Sequence, residues 1–136
     1  MTPSSPRGTR VSHIGIAVDA LAESLPFFRD VLELKEIELD DADGARIVGF
    51  SAGESLVELL QADDADSAIA RFVARRGPGI HHICFSVDDL DATLERCRRA
   101  GVQLIDEAPR IGAEGKRIAF LHPKSTGGVL VELSDH

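Results

Sequence analysis

HIGIAVD at residues 13–19 and HICFSVD at residues 82–88 are two copies of one motif, set 69 residues apart. In both, side chains alternate with a period of two, as they do along a half-buried strand. His13 shares a strand face with Val11, Gly15 and Ala17, and His82 shares one with Cys84 and Ser86. The opposite face carries Ile14, Ile16 and Val18 in one copy and Ile83, Phe85 and Val87 in the other. That bulky face suits packing under a helix, while the face bearing the histidines is lined by small residues and keeps space open.

The surroundings of the motif repeat as well. After the first copy, Leu25, Phe28 and Leu32 have helical spacing to about Leu34, with Asp19 or Ser24 as the expected cap and Pro26 tolerated in the first turn. KEIEL (35–39) reads as a short strand, DDADG (40–44) as a turn, and ARIVGFSAG with ESLVELLQ as a hairpin across Ala52-Gly53. After the second copy, Asp88 is the expected cap of a helix that runs to about Ala100 and stops at Gly101. VQLIDE should begin a strand, a long loop should occupy 107–115, and KRIAFLHP and GVLVELSD should pair. A helix over about 64–76, ended by RGPG, links the halves. Each half is therefore β-α-β-β-β. Two such modules, about 10–61 and 80–134, predict one α+β domain over 10–134 after a loose tail at 1–9. The two sheets together make a cupped, mixed, eight-stranded half-barrel.

Each half also ends in a strand containing Val-Glu-Leu, which places Glu58 and Glu132 74 residues apart. A carboxylate in an apolar strand is costly to bury unless it is paired or bound to a metal. A lone histidine or glutamate would ordinarily be a satisfied core residue or a solvated edge residue. Matching positions in both halves argue instead that His13, Glu58, His82 and Glu132 act together as one metal site. Two imidazoles and two carboxylates suit a divalent first-row ion such as Co²⁺, Mn²⁺, Ni²⁺ or Zn²⁺. His81 should point away from His82, and Gln61 has the wrong parity to join Glu58. GAEGKR (112–117) could form an anion-accepting loop. HPKSTGG (122–128) could hold a phosphate or carboxylate or be only a solvated turn, with His122 either touching substrate or closing a turn at Pro123. Lys116, Arg117, His122, Lys124 and Ser125 are the candidate substrate contacts.

Composition narrows the field. A formal net charge of -8 disfavours a nucleic-acid partner. Cys84 and Cys97 make no CxxC and no disulfide framework, which suggests reduced thiols and a cytoplasmic location. TPSSPRGTR lacks the apolar stretch of a signal peptide, and no run is long enough to span a membrane.

The duplicated modules with His and Glu at these points resemble the vicinal oxygen chelate superfamily of glyoxalases, dioxygenases and resistance proteins. Within it, HIGIAV, VELL, GIHHICFSVDDL, GVQLIDEAPRIGAEGKRIAFLHPKS and GVLVEL resemble the methylmalonyl-CoA epimerases. The resemblance implies a homodimer that takes Co²⁺ or a similar ion on His13, Glu58, His82 and Glu132. It implies a coenzyme A thioester substrate, with (2S)- and (2R)-methylmalonyl-CoA interconverted by removal and return of the C2 proton through an enolate. Glu132 would serve as ligand and as one proton-transfer group. Some members carry a second glutamate as the opposing base, and here Ile47 falls at that position. A glyoxalase I-like isomerase would keep a similar metal site. A drug-sequestering module would favour aromatic surfaces, yet the chain has no Trp and no Tyr.

Overall fold

The structure, a computed structural model, describes residues 8–41, 44–112 and 114–136. The strand expected from residue 10 is β1, Arg10–Ala17. Helix α1 spans Leu21–Pro26 and runs on as a π-helical turn, Phe27–Val31. Strands β2 (Lys35–Ile37), β3 (Ala45–Ala52) and β4 (Ser55–Ala62) complete the first module. Helix α2 (Ala68–Arg76) leads to β5 (Gly79–Val87) and helix α3 (Leu90–Arg99). Strands β6 (Arg110–Ile111), β7 (Arg117–Leu121) and β8 (Leu130–Asp135) follow.

All eight strands form one mixed sheet in the order β2-β3-β4-β1-β5-β8-β7-β6. Outward from the β1–β5 seam, each half reads first, fourth, third and second strand of its own module. The two modules are thus related by a pseudo-two-fold axis through the seam. β1 pairs parallel with β4 and β5 parallel with β8, while β1 and β5 run antiparallel.

The two sheet faces carry different cargo. Under α1, the outer face buries Phe50 and Leu59 with Val18 and Leu21. Under α3 it buries Val87, Ala119, Leu121 and Leu133 with Leu90 and Leu94. Each Val, Leu or Phe side chain among these contributes about 1.5–3 kcal/mol when removed from water. Helix α2 lies on the other face, where Ile69 packs on Ala17, Ala45 and Leu60.

Several local expectations are corrected. Neither Asp19 nor Ser24 caps α1: Ala20 holds the cap position, and the Leu21 amide donates to Gln61 Oε1 at 2.8 Å. Pro26 supplies no amide to the helical ladder, and beyond it the Leu32 amide bonds to the Phe27 carbonyl, five residues back. Asp89, not Asp88, caps α3 by accepting from the Ala92 amide at 3.0 Å. Asp88 instead meets the His136 ring at 2.6 Å.

VQLIDE is not a strand beyond one bridge, Leu104 to Leu121. The Ile105 and Asp106 amides both bond to the Phe120 carbonyl, while the Asp106 carboxylate accepts from the Phe120 amide. This side-chain bond replaces a ladder rung, and the outermost strand forms instead at Arg110–Ile111, inside the expected loop.

Candidate metal centre

Register brings the repeated residues together. Glu58 on β4 pairs with Gly15 on β1, and Gly15 pairs across the seam with His82 on β5. By the same symmetry Glu132 on β8 pairs with Cys84 on β5, and Cys84 pairs with His13. Directly paired residues project from the same face, so all four candidate ligands point into the concave side. They are 4–7% exposed, which removes the reading of solvated edge residues.

Gly15 is what makes room for the second histidine. A Cβ there would stand 2.2 Å from His82 Cε1 and 2.6 Å from its Nδ1. The His82 ring therefore lies directly over the backbone of β1. It approaches His13 Nε2 to Nε2 at 3.1 Å. Glu132 Oε1 is 3.2 Å from His13 Nε2 and 3.3 Å from His82 Nε2. Glu58 Oε2 comes to the other ring nitrogen of His13, Nδ1, at 3.5 Å.

Ligand atoms about 2.1 Å from one ion and at right angles to each other are separated by roughly 3 Å. The spacing of His13, His82 and Glu132 meets that test, and one ligand atom each of His13, Glu58 and His82 lies within 4.8 Å of the others. The donor set is nitrogen and carboxylate oxygen, which suits a divalent first-row ion. Cys84 Sγ falls in the same cluster with His13 and Glu132, and burial drives its thiol well above the ordinary range.

The electrostatics describe a site short of positive charge. Burial pushes the Glu58 carboxyl well above the usual carboxylate range, and Glu114 and Glu132 add to this against the pull of His13. Burial works against Glu132 too, yet hydrogen bonds from His13 and His82 outweigh it and hold the group down to about 2. His13 is disfavoured as a cation by burial, but Glu132, Glu58 and Glu114 together raise it above 6.5.

The cluster forms the floor of a cavity of about 360 Å³. Ala45, Ile47, Leu60 and Ile69 make an apolar wall on the first-module side, so the position of the family's second glutamate is occupied by a hydrocarbon facing the cavity. Of the residues expected at a substrate, Lys116 lines the cavity. Arg117 is 2.8 Å from Asp91 and 3.6 Å from Asp135. His122 Nδ1 accepts from the Lys124 amide, and Ser125 Oγ accepts from the Gln103 amide. Arg117, His122, Lys124 and Ser125 are not among the cavity's lining residues.

His81 and Glu114, both beside the cluster, escaped the sequence reading. A register shift between Gly15/His82 and Ile16/Ile80 leaves His81 unpaired on β5. This bulge lets His81 line the cavity rather than turn away, with its Nδ1 3.0 Å from His82 Nδ1 and its ring edge-on to Phe72. Burial, then the neighbouring His82, lowers its pKa to about 4. Glu114, from the β6–β7 connection, brings Oε2 to 3.4 Å from His13 Nδ1.

Comparison with known proteins agrees with this geometry. Residues 10–133 match the Glyoxalase/Bleomycin resistance protein/Dioxygenase superfamily. The human mitochondrial methylmalonyl-CoA epimerase is 36% identical over 127 residues, covering 91% of this chain and 72% of that protein. The chain belongs to the methylmalonyl-CoA epimerase family. A Streptomyces coelicolor epimerase of this family, solved with 2-nitronate-propionyl-CoA, superimposes with a TM-score of 0.88 at 35% identity, covering 94% of each chain. The Mycobacterium tuberculosis epimerase gives 0.87 at 34% identity, covering 99% of this chain and 91% of that one. Similarity to epimerases thus extends through both modules, including the strands that carry His13, Glu58, His82 and Glu132.

Proposed function

We propose that this protein is a metal-dependent methylmalonyl-CoA epimerase, interconverting the (2S) and (2R) thioesters. The observation that carries the reading is the convergence of His13, His82, Glu132 and Glu58 on the floor of one apolar-walled cavity, in a chain of the epimerase family. His13, Glu58, His82 and Glu132 would hold the ion, with Co²⁺ favoured and Mn²⁺, Ni²⁺ or Zn²⁺ compatible with the same donors. A divalent ion supplies Lewis acidity, which draws charge from the thioester and carboxylate oxygens and acidifies C2.

The protein's own groups do the remaining work. Glu132 is the proton-transfer group on one side of C2, effective because it is held close to a stabilised carbanion. Ile47, Leu60 and Ile69 seat the C2 methyl and keep water from the enolate. Lys116 meets the substrate at the cavity rim, while Arg117, His122, Lys124 and Ser125 are read as contacts to the outlying parts of coenzyme A. Residues 10–134 are read as one domain. The apolar group Phe27, Val31 and Leu32, each about half exposed or more, supports a homodimer. Free Cys84 and Cys97 support a cytoplasmic location, and no helix among the described residues is long and apolar enough to cross a membrane.

A stereospecific coupled assay tests the proposal. Metal-loaded protein should convert one epimer of methylmalonyl-CoA to the other, and a chelator should abolish the conversion until metal is returned. Conversion undiminished in protein shown by elemental analysis to be metal-free would remove the metal from the account.

A further inference from the structure

Inversion at C2 asks for proton-transfer groups on both faces of a planar intermediate. Among the described residues, three carboxylates line the cavity: Glu58, Glu114 and Glu132. Glu58 and Glu132 are assigned to the ion, Glu132 with a second duty. The first-module wall supplies only hydrocarbon, including Ile47. Cys84 is wholly buried in the sheet, and His81 is occupied by His82 and Phe72.

Glu114 has the placement the missing group needs. Its carboxylate and that of Glu132 reach His13 at different ring nitrogens, Nδ1 at 3.4 Å and Nε2 at 3.2 Å. The two therefore flank the cavity floor from different sides. The Glu114 side chain is 22% exposed against 8% for Glu132, so it can trade its proton with solvent between turnovers. Lys116 Nζ stands 3.9 Å from its other oxygen and limits its swing.

We infer that Glu114, from the connection between β6 and β7, is the second proton-transfer group, facing the side of C2 opposite Glu132. This rests on the epimerase reading. One carboxylate takes the C2 proton, forming its O–H as the C–H bond breaks, and the electron pair passes into the thioester as an enolate. The other carboxyl group, already protonated, delivers its proton to the opposite face and leaves as a carboxylate. Exchange with water restores the starting pair.

The test compares wild type with Glu114→Gln, both metal-loaded, incubating each epimer separately in D₂O. The variant is expected to lose inversion by about 100-fold or more. It should still wash deuterium into one epimer with retention, through Glu132 alone, and leave the other untouched. Metal affinity, measured by titration calorimetry, should stay within threefold. Inversion of both epimers at the wild-type rate would overturn the assignment. So would a tenfold loss of metal affinity, which would make Glu114 a ligand. Inactivity of metal-loaded wild type toward both epimers would instead sink the epimerase reading itself, and Glu114's role with it.

Discussion

The His82 ring lies over Gly15 so closely that a Cβ on Gly15 would sit 2.2 Å from it. The relationship crosses the seam between the modules, because Gly15 belongs to β1 and His82 to β5. A residue of one half thus sets where the His82 ring of the other half can stand. Gly15→Ala is predicted to push the ring off its place, cost about 1–3 kcal/mol by overpacking, and weaken metal binding. Thermal unfolding and calorimetric titration check both effects, and an unchanged metal affinity would mean that His82 does not need this position.

His81 is predicted to act through His82. Its Nδ1 contact at 3.0 Å orients the ring and leaves His82 Nε2 toward the cluster. His81→Phe keeps the bulk against Phe72 but loses that contact. Metal affinity should fall by about 10–100-fold, the usual cost of removing an outer partner of a ligand, while circular dichroism stays native. Equal affinity in the variant would relegate His81 to packing.

Metal binding should strengthen as pH rises through neutrality. The raised Glu58 and His13 must both give up protons to serve as ligands. Without metal, the signs differ by group. Glu132, held down to about 2, contributes stability that is complete above the ordinary carboxylate value and vanishes as pH falls toward about 2. His13, raised above 6.5, contributes stability that is complete below 6.5 and lost as pH climbs through its raised value. Buried Glu58, raised to about 7, costs stability progressively as pH rises from the ordinary carboxylate value of 4.5 to about 7. The metal-free protein should therefore be most stable in mildly acidic buffer, and equal melting temperatures at pH 3, 5 and 8 would contradict this.

Ser67→Ala separates scaffold from site. Ser67 Oγ accepts from the Ala70 amide at 3.1 Å and caps α2, whose Ile69 closes part of the cavity wall. Loss of the cap should cost about 1 kcal/mol with metal affinity unchanged, measurable by urea unfolding beside a metal titration.

The duplicated strands, the gathering of His13, Glu58, His82 and Glu132 and their common face were legible because strand parity carries over from sequence to structure. His13, Gly15 and Ala17 are buried on one side as alternation requires. Legibility failed where period two breaks. The bulge at His81 shifts a side chain across the sheet without any mark in the residue types. Glu114 arrives from the β6–β7 connection, which the Gly112 amide closes on the Lys116 carbonyl, and its reach to His13 is a tertiary contact that no local pattern announces. Cap choice between Asp88 and Asp89 turned on one residue, and the distant ring of His136 engages the former.

The chain epimerises methylmalonyl-CoA at C2, and the two modules together would hold the ion that acidifies it. Proton NMR at C2 in D₂O, with Co²⁺-loaded wild type and a single epimer, tests this most directly. The expected result is loss of the C2 proton signal with formation of the other epimer, dependent on the metal and absent in His82→Ala. A folded, Co²⁺-bound protein that leaves the C2 proton in place would contradict it.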